Sequence, residues 1–307
     1  MKNQKKQSKL YFEKPHDSNL YNVFFGFREK FTILRKVIGI TFKKRKIVKN
    51  IAIVFLLLAI TLLTSSNGHR RSDFTVKTVV IDAGHGGHDP GTHGVFSEEK
   101  DIALDVALQL GKYIQEYLPD VKVIYTRKDD KFVELEQRAH VANKNHADVF
   151  ISIHANAVSK SSIYGTETYV MGPHKTEGNL DVAKRENSVI LYEEGYEEKY
   201  EGFDPNSPES HILFSLTQSA YIENSLYLAS KIEEQFGTRA GRRSRGVKQA
   251  GFWVLWRTAM PSVLVEIGYL TNPKEEQELN NSSVKANIAS GIFRAFRDYK
   301  NNIESLN

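Results

Sequence analysis

The segment at residues 79–94, VVIDAGHGGHDPGTHG, constrains the fold of this chain more than any other feature. Its apolar, β-branched start predicts a short buried strand. The glycines that follow favour a tight turn in which few other residue types could be buried. The strand therefore delivers His85 to the edge of a sheet, a position typical of metal sites.

Similar polar groups stand at the ends of other predicted elements. Glu98 and Glu99 open a helix, His154 ends the strand in ISIHAN, and Glu266 ends the strand in VLVEIG. Together with His85, these positions fall at the ends of three strands and the start of one helix. The pattern indicates a single site.

Short β-branched runs alternate with longer segments of helical periodicity from residue 75 onward. We predict strands at residues 77–82, 122–126, 149–154, 165–171, 252–255 and 262–267, and helices at 99–117, 133–146, 212–236 and 284–299. Such alternation favours the α/β class. We expect a single three-layer domain, with a mostly parallel or mixed twisted sheet and helices on both faces.

The basic charge of the chain is concentrated at its start. Residues 1–50 carry 14 Lys/Arg and three Asp/Glu, whereas the whole chain has a net charge of only +5. The remainder is mildly acidic, so the overall charge does not indicate nucleic-acid binding. The chain has no cysteine, which excludes disulfides, thiolate metal ligands and a cysteine nucleophile.

An apolar segment at residues 51–66 follows this basic block, and residues 67–75 read as a linker. We expect an uncleaved signal anchor, with residues 1–50 in the cytoplasm and the domain at 76–307 outside the membrane, periplasmic or extracellular. The apolar run is shorter than the roughly 20 residues that span a bilayer comfortably. Cleavage near Ser65, followed by secretion, is the alternative.

Imidazole and carboxylate groups are ligands that zinc accepts, and a catalytic zinc site takes three of them while leaving a fourth position open. His85, His154 and one of the Glu98–Glu99 pair make such a set. His88 and His93 lie beyond the tight turn, where we expect the loop to face solvent. A phosphate-binding role for the glycines is disfavoured, since no Gly-Lys-Ser/Thr sequence follows them.

Six sequence blocks resemble the zinc-dependent N-acetylmuramoyl-L-alanine amidases, the type 3 amidases of cell-wall hydrolysis. They are IDAGHGGHDPG, the Glu99–Lys100 pair, SIHANA, GTETYV, RGVKQAGFWVL and MPSVLVEIGYLTN, in the order of that family. The resemblance implies Zn²⁺ as cofactor, with His85, Glu99 and His154 as its ligands and Glu266 as the catalytic carboxylate. It selects Glu99 over Glu98, because the family's ligand directly precedes a lysine.

The resemblance also implies the reaction: hydrolysis of the amide between N-acetylmuramic acid and L-alanine in peptidoglycan, with Glu266 as general base and acid. Asp82 and Asn156 are candidates to hydrogen-bond the ligand histidines. Two other classes stay open at this stage. One is another zinc-dependent envelope hydrolase, a carboxypeptidase or a deacetylase, and the other is a catalytically silent peptidoglycan-binding module.

A long interruption at residues 174–211 separates the strand at 165–171 from the next long helix. A connection of this length is typical of a functional segment, although a surface excursion without a role is the alternative. Some members of the resembled family hold such a segment as a blocking helix that a partner removes. We therefore expect a lid in which Glu186, Glu193 or Glu194 fills the open metal position, and an activator protein that acts on it.

Overall fold

The computed structural model describes residues 75–215 and 220–306. The predicted basic segment, the predicted signal anchor and all but the last residue of the predicted linker lie outside these ranges. Within them, no helix combines the length and the apolar character that crossing a membrane requires.

Ten helices and six strands are defined in the described ranges. The strands are β1 (Thr78–Ala83), β2 (Lys122–Tyr125), β3 (Val149–Asn156), β4 (Thr166–Met171), β5 (Ser244–Ala250) and β6 (Ser262–Tyr269). The helices are α1 (Glu99–Tyr117), α2 (Leu135–Lys144), α3 (Glu177–Asn187), a 3-10 helix (Ser188–Tyr192), α4 (Tyr196–Lys199), α5 (Pro208–Ser215), α6 (Ile222–Thr238), α7 (Trp253–Trp256), α8 (Pro273–Leu279) and α9 (Ser282–Ser305).

All six strands form one mixed sheet in the order β2-β1-β3-β6-β4-β5. The first four strands of this order are parallel to one another. β4 runs antiparallel to β6 and parallel to β5, so the sheet joins two parallel blocks through one antiparallel contact. The carboxyl ends of β1, β3 and β6 therefore meet at the same sheet edge, as open α/β sheets arrange their ligand sites.

Successive side chains of a strand point to opposite faces, and both faces of this sheet are covered. Val79 and Ile81 of β1 join one apolar cluster with α1, α6 and α9. Val80, between them, joins a second cluster with α2 and α7. The expectation of a mixed α/β domain with helices on both faces is confirmed.

The segment at 174–211 is part of the second cluster. Val182 and Ala183 of α3, together with Val189, Ile190 and Tyr200, are buried there. Burial of such side chains contributes about 1.5–3 kcal/mol each for the larger ones. A surface excursion without a role does not describe a segment that completes an apolar core.

Two sequence predictions of secondary structure are wrong. Residues 252–255 form no strand; most of them lie in α7, and the strand is β5, just before it. β5 is a mostly half-buried edge strand of polar residues, so it lacks apolar alternation, whereas the aromatic run at 252–256 packs in the core as one helical turn. The single helix predicted at 212–236 is instead α5 and α6.

Candidate metal centre

The predicted site residues converge at the carboxyl edge of the parallel strands. His85 follows β1, Glu99 is the first residue of α1, and His154 and Glu266 lie side by side on β3 and β6. All four are buried. The structure therefore brings together the four residues that the family resemblance assigns to the site.

Four side chains offer ligand atoms that all lie within 4.8 Å of one another: His85, Glu99, His154 and Glu186. Glu99 Oε1 is 3.1 Å from His85 Nε2 and 3.0 Å from His154 Nδ1. Glu186 Oε2, from the end of α3, is 3.2 Å and 3.0 Å from the same two nitrogens. Two nitrogens and two carboxylate oxygens thus face a common point.

This donor set fits a zinc ion. Among the described residues, His85 Nε2 and Glu186 Oε2 are buried without a hydrogen bond, although each has polar atoms close by. Lone pairs that point at a shared centre rather than at each other produce that arrangement, and two imidazoles with two carboxylates are a ligand set that zinc accepts. Glu98 is not part of the cluster, because its carboxylate lies near Lys100 at the partly exposed surface.

The remaining polar atoms of the ligands are fixed by the protein. Asp89 Oδ2 lies 2.8 Å from His85 Nδ1, which leaves Nε2 for the cluster. The backbone N–H groups of Thr92 and Ala155 donate to the two oxygens of Glu99. Such outer contacts set the orientation of a metal ligand.

Asp82 and Asn156 do not hydrogen-bond the ligand histidines, so that prediction is wrong. Asp82 accepts from Thr126, Ser152 and Arg138. Asn156 also bonds elsewhere, partly to Glu167. Asp89 instead contacts a ligand histidine, since its carboxylate pairs with His85 Nδ1. Its position four residues after His85 is the sequence signal that could have predicted this pair.

Two buried arginines hold the backbone that carries His85. Arg127 donates to the carbonyls of Ala83 and Gly84, and Arg138 donates to those of Ala83 and His85. His85 itself adopts φ of 59°, a left-handed conformation that costs free energy in any residue but glycine. The hydrogen bonds to three consecutive carbonyls stabilise this conformation.

Glycine is required where the loop crosses the ligands. A Cβ on Gly84 would lie 2.4 Å from the His154 ring, and one on Gly91 would lie 2.6 Å from the His85 ring. Gly91 also has φ of +67°. The glycine-rich motif thus lets the backbone pass directly against two imidazoles. His88 and His93 are exposed, as predicted.

The electrostatics of the cluster favour charged groups despite their burial. Burial lowers the pKa of His154, but Glu186 and Glu99 outweigh it and raise the pKa to about 9. Burial raises the pKa of Glu186, but His154 and Arg185 outweigh it and hold the pKa well below its usual range. This pairing favours the ionised form of Glu186, the form in which a carboxylate binds a cation, while His154 must release its proton to do so.

Glu266 differs from the other carboxylates of the site. It is fully buried, and among the described residues neither of its oxygens has a hydrogen-bond partner. Burial, together with the nearby charge of Glu186, raises its pKa well above the usual range, although Arg185 opposes the shift. A carboxyl group whose pKa is raised in this way holds a proton more readily than an exposed one, as a general base and acid requires.

Comparison with known proteins agrees with this geometry. The model of the N-acetylmuramoyl-L-alanine amidase family matches residues 79–298, which include every residue of the cluster. The chain belongs to this amidase family. The matched range begins in β1 and ends in α9, so it covers the whole sheet.

Individual relatives support the same assignment. The amidase AmiA of Escherichia coli is 32% identical over 245 residues, covering 78% of this chain and 82% of that protein. The solved catalytic domain of the amidase CwlV from Bacillus (Paenibacillus) polymyxa var. colistinus is 31% identical, with a TM-score of 0.54 over 73% of this chain and 97% of that one. The amidase CwlD of Clostridioides difficile, solved in complex with the lipoprotein GerS, is 25% identical, with a TM-score of 0.53 over 73% of this chain and 98% of that one.

Arg185 is the residue that sequence reasoning missed. Its guanidinium donates to the carbonyl of Ala157 and the side chain of Asn156, and lies 3.6 Å from Glu266 Oε1. Glu186 was one of three carboxylates predicted to reach the metal position, and the structure selects it. Glu193 instead accepts hydrogen bonds from Leu135 N–H and the Tyr200 hydroxyl.

Proposed function

We propose that this amidase-family protein hydrolyses the amide bond between N-acetylmuramic acid and L-alanine in peptidoglycan. His85, Glu99 and His154 hold zinc, and Glu266 is the catalytic carboxylate. One observation supports this most strongly: three ligands fixed by the fold converge beside a buried carboxylate that has no hydrogen-bond partner among the described residues. The family assignment supplies the class of amide bond.

Bound zinc supplies a Lewis acid that polarises the amide carbonyl and makes the attacking water more acidic. Glu266 takes a proton from that water at a carboxylate oxygen and delivers it to the leaving nitrogen of L-alanine. The raised pKa of Glu266 suits both transfers, since the group must be deprotonated at the first and protonated at the second. Its complete burial keeps bulk water from competing for the proton.

The closed arrangement represents a resting state. Glu186 stands where a catalytic zinc site keeps its open position, and Arg185, next to it, lies against Glu266. One helix, α3, thus covers the fourth ligand position and the catalytic carboxylate together. We infer that the segment at 174–211 is an autoinhibitory lid.

An activator protein would displace this lid. The relative CwlD was solved with the lipoprotein GerS, which makes a protein partner of the same kind reasonable for this chain. The substrate and the named relatives place the activity in the cell envelope. We propose that residues 51–66 anchor the protein in the membrane with the catalytic domain outside, or direct its secretion if they are cleaved.

The test is digestion of purified sacculi by the full-length protein, with and without a zinc chelator, followed by mass spectrometry of the products. An amidase releases intact stem peptides from glycan, and the chelator abolishes the release. Release of acetate would identify a deacetylase, and release of a terminal amino acid would identify a carboxypeptidase. Absence of any product from both the full-length protein and its Glu186→Gln variant, when each keeps its zinc and pulls down sacculi, would favour a silent binding module, because the variant removes the lid carboxylate.

A further inference from the structure

A cationic cavity of about 350 Å³ lies at the β5 side of the sheet. Lys175, Arg245 and Lys248 contribute to its lining, with Thr176, Asn179 and Gln249 as polar neighbours. None of the described residues that line it is acidic. A cavity of this composition attracts an anion.

The side chains of Arg245 and Lys248 are held in place by hydrogen bonds to a buried carboxylate. Both donate to Glu167, which is almost fully buried on β4. The hydroxyls of Tyr169 and Tyr269 donate to the same carboxylate. These contacts keep Glu167 ionised and order the two cations, while the side chains of Arg245 and Lys248 remain 28% and 23% exposed.

Charge in this cluster is not balanced. One buried carboxylate faces two cations, and the exposed Lys175 adds a third charge without contacting Glu167. Binding of a ligand to cationic side chains that are already ordered costs less conformational entropy than binding to mobile side chains. The cluster is therefore prepared for a ligand that brings a negative charge.

The cavity lies a short distance from the candidate catalytic centre. Glu167 is directly opposite Glu266 across the antiparallel contact of β4 and β6. The Cβ atoms of directly opposed residues lie roughly 5 Å apart. A hydrogen bond from Glu167 to Arg245 or Lys248 adds the remaining distance, so the two cations lie roughly 8–10 Å from Glu266. An extended peptide advances roughly 3.3–3.6 Å per residue, so the separation corresponds to two or three residues.

We propose that Arg245 and Lys248 form a subsite for a free carboxylate on the second or third residue of the stem peptide. Both lie on β5, outside the segment at 174–211 that opens. This inference rests on the proposed function, because it places the scissile amide at Glu266. Lysines on an edge strand also protect against strand pairing between molecules. That role needs neither the buried Glu167 support nor a cavity, and it predicts no preference between substrates.

The experiment compares two muramyl peptides that differ only in carrying a carboxylate or a carboxamide on the second residue, and a second such pair for the third residue. All rates are measured on the full-length zinc-loaded protein carrying Glu186→Gln, which removes the lid carboxylate. The readout is the ratio of kcat/KM between acid and amide. This ratio is independent of the fraction of protein in the open state, because both substrates meet the same enzyme.

We expect about tenfold preference for the acid of one pair, expressed in KM rather than kcat. Arg245→Gln and Lys248→Gln should bring the ratio towards one, whereas Arg245→Lys should preserve most of it. Lys122→Glu, a charge reversal on β2 at the opposite edge of the sheet, is the matched control and should leave the ratio unchanged.

Equal cleavage of acid and amide in both pairs would overturn the subsite while leaving the amidase function standing. So would variants that lower both rates equally, or a preference that Lys122→Glu also removes. Cleavage of none of the substrates would overturn the proposed function and the subsite with it.

Discussion

The loop that carries His85 and the helix that carries Glu186 reach the same point in space but are held very differently. Buried arginines bond three consecutive carbonyls of the His85 loop, and Asp89 fixes the ring. α3 depends on apolar packing and a few side-chain contacts at its end, chiefly those of Arg185 and Asn187. We infer from this difference that one half of the candidate metal site is permanent and that the other half is removable.

Loss of a ligand from the permanent half should have the largest effect. We expect His154→Ala to lose zinc and to reduce amidase activity below detection, because only two of the three ligands held by the permanent half remain and Glu186 comes from the half that moves away. His85→Ala and Glu99→Ala should behave alike. Metal analysis and muropeptide release measure the two effects, and full zinc occupancy in purified His154→Ala would show that the ligand is wrongly assigned.

Glu266→Gln separates chemistry from metal binding. The amide keeps the shape of the side chain but cannot accept the proton, so we expect activity to fall roughly 10²–10⁴-fold with zinc content unchanged. The rate of stem-peptide release, normalised to zinc, is the measurement. Turnover at the parent rate would remove Glu266 from the catalytic role.

Loss of the arginine hydrogen bonds to the His85 loop should have an effect of intermediate size on zinc binding. Arg138→Lys keeps the charge beside Asp82 but loses the forked geometry that reaches the carbonyls of Ala83 and His85. We expect zinc affinity to fall about tenfold or more, measured by chelator competition. Arg239→Lys, the same substitution at the exposed residue that follows α6, is the control, and equal affinities in both variants would contradict a positioning role.

Weakening the removable half should act in the opposite direction. Asn187 donates to the Gly251 carbonyl and accepts from Trp253 N–H, so Asn187→Ala leaves both groups unpaired in the closed state. We expect about tenfold higher basal activity on sacculi, with zinc content unchanged. Lower activity with retained zinc would mean that α3 helps the reaction instead of blocking it.

The sequence predicted the permanent half well. Strand ends, the helix start at Glu99 and the glycine-rich turn are local patterns, and the family resemblance chose between Glu98 and Glu99. The sequence predictions failed where contacts between residues distant in the chain determine the hydrogen-bond partners. Asp82 pairs with Arg138 of α2, which is 56 residues away in the sequence, and no local pattern around Asp82 predicts this pairing.

The removable half was predicted only in outline. The length and the acidic residues of the segment at 174–211 favour a lid, but they leave three carboxylates as equal candidates for the metal position. Only the packing of α3 selects Glu186, and the role of Arg185 depends on where Glu266 lies in space. The polar edge strand β5 escaped prediction for a related reason: half-buried positions carry little apolar periodicity.

The most direct test of the resting state is the basal activity of full-length Glu186→Gln beside that of the parent, with zinc measured in both. Zinc keeps three ligands fixed by the fold, so its content should be equal, while stem-peptide release from sacculi should rise at least several-fold as the fourth position opens. Glu194→Gln, an exposed change in the same segment, should leave both values at those of the parent. Loss of zinc from Glu186→Gln, or release no faster than from the parent, would contradict a lid that fills the open position of the site.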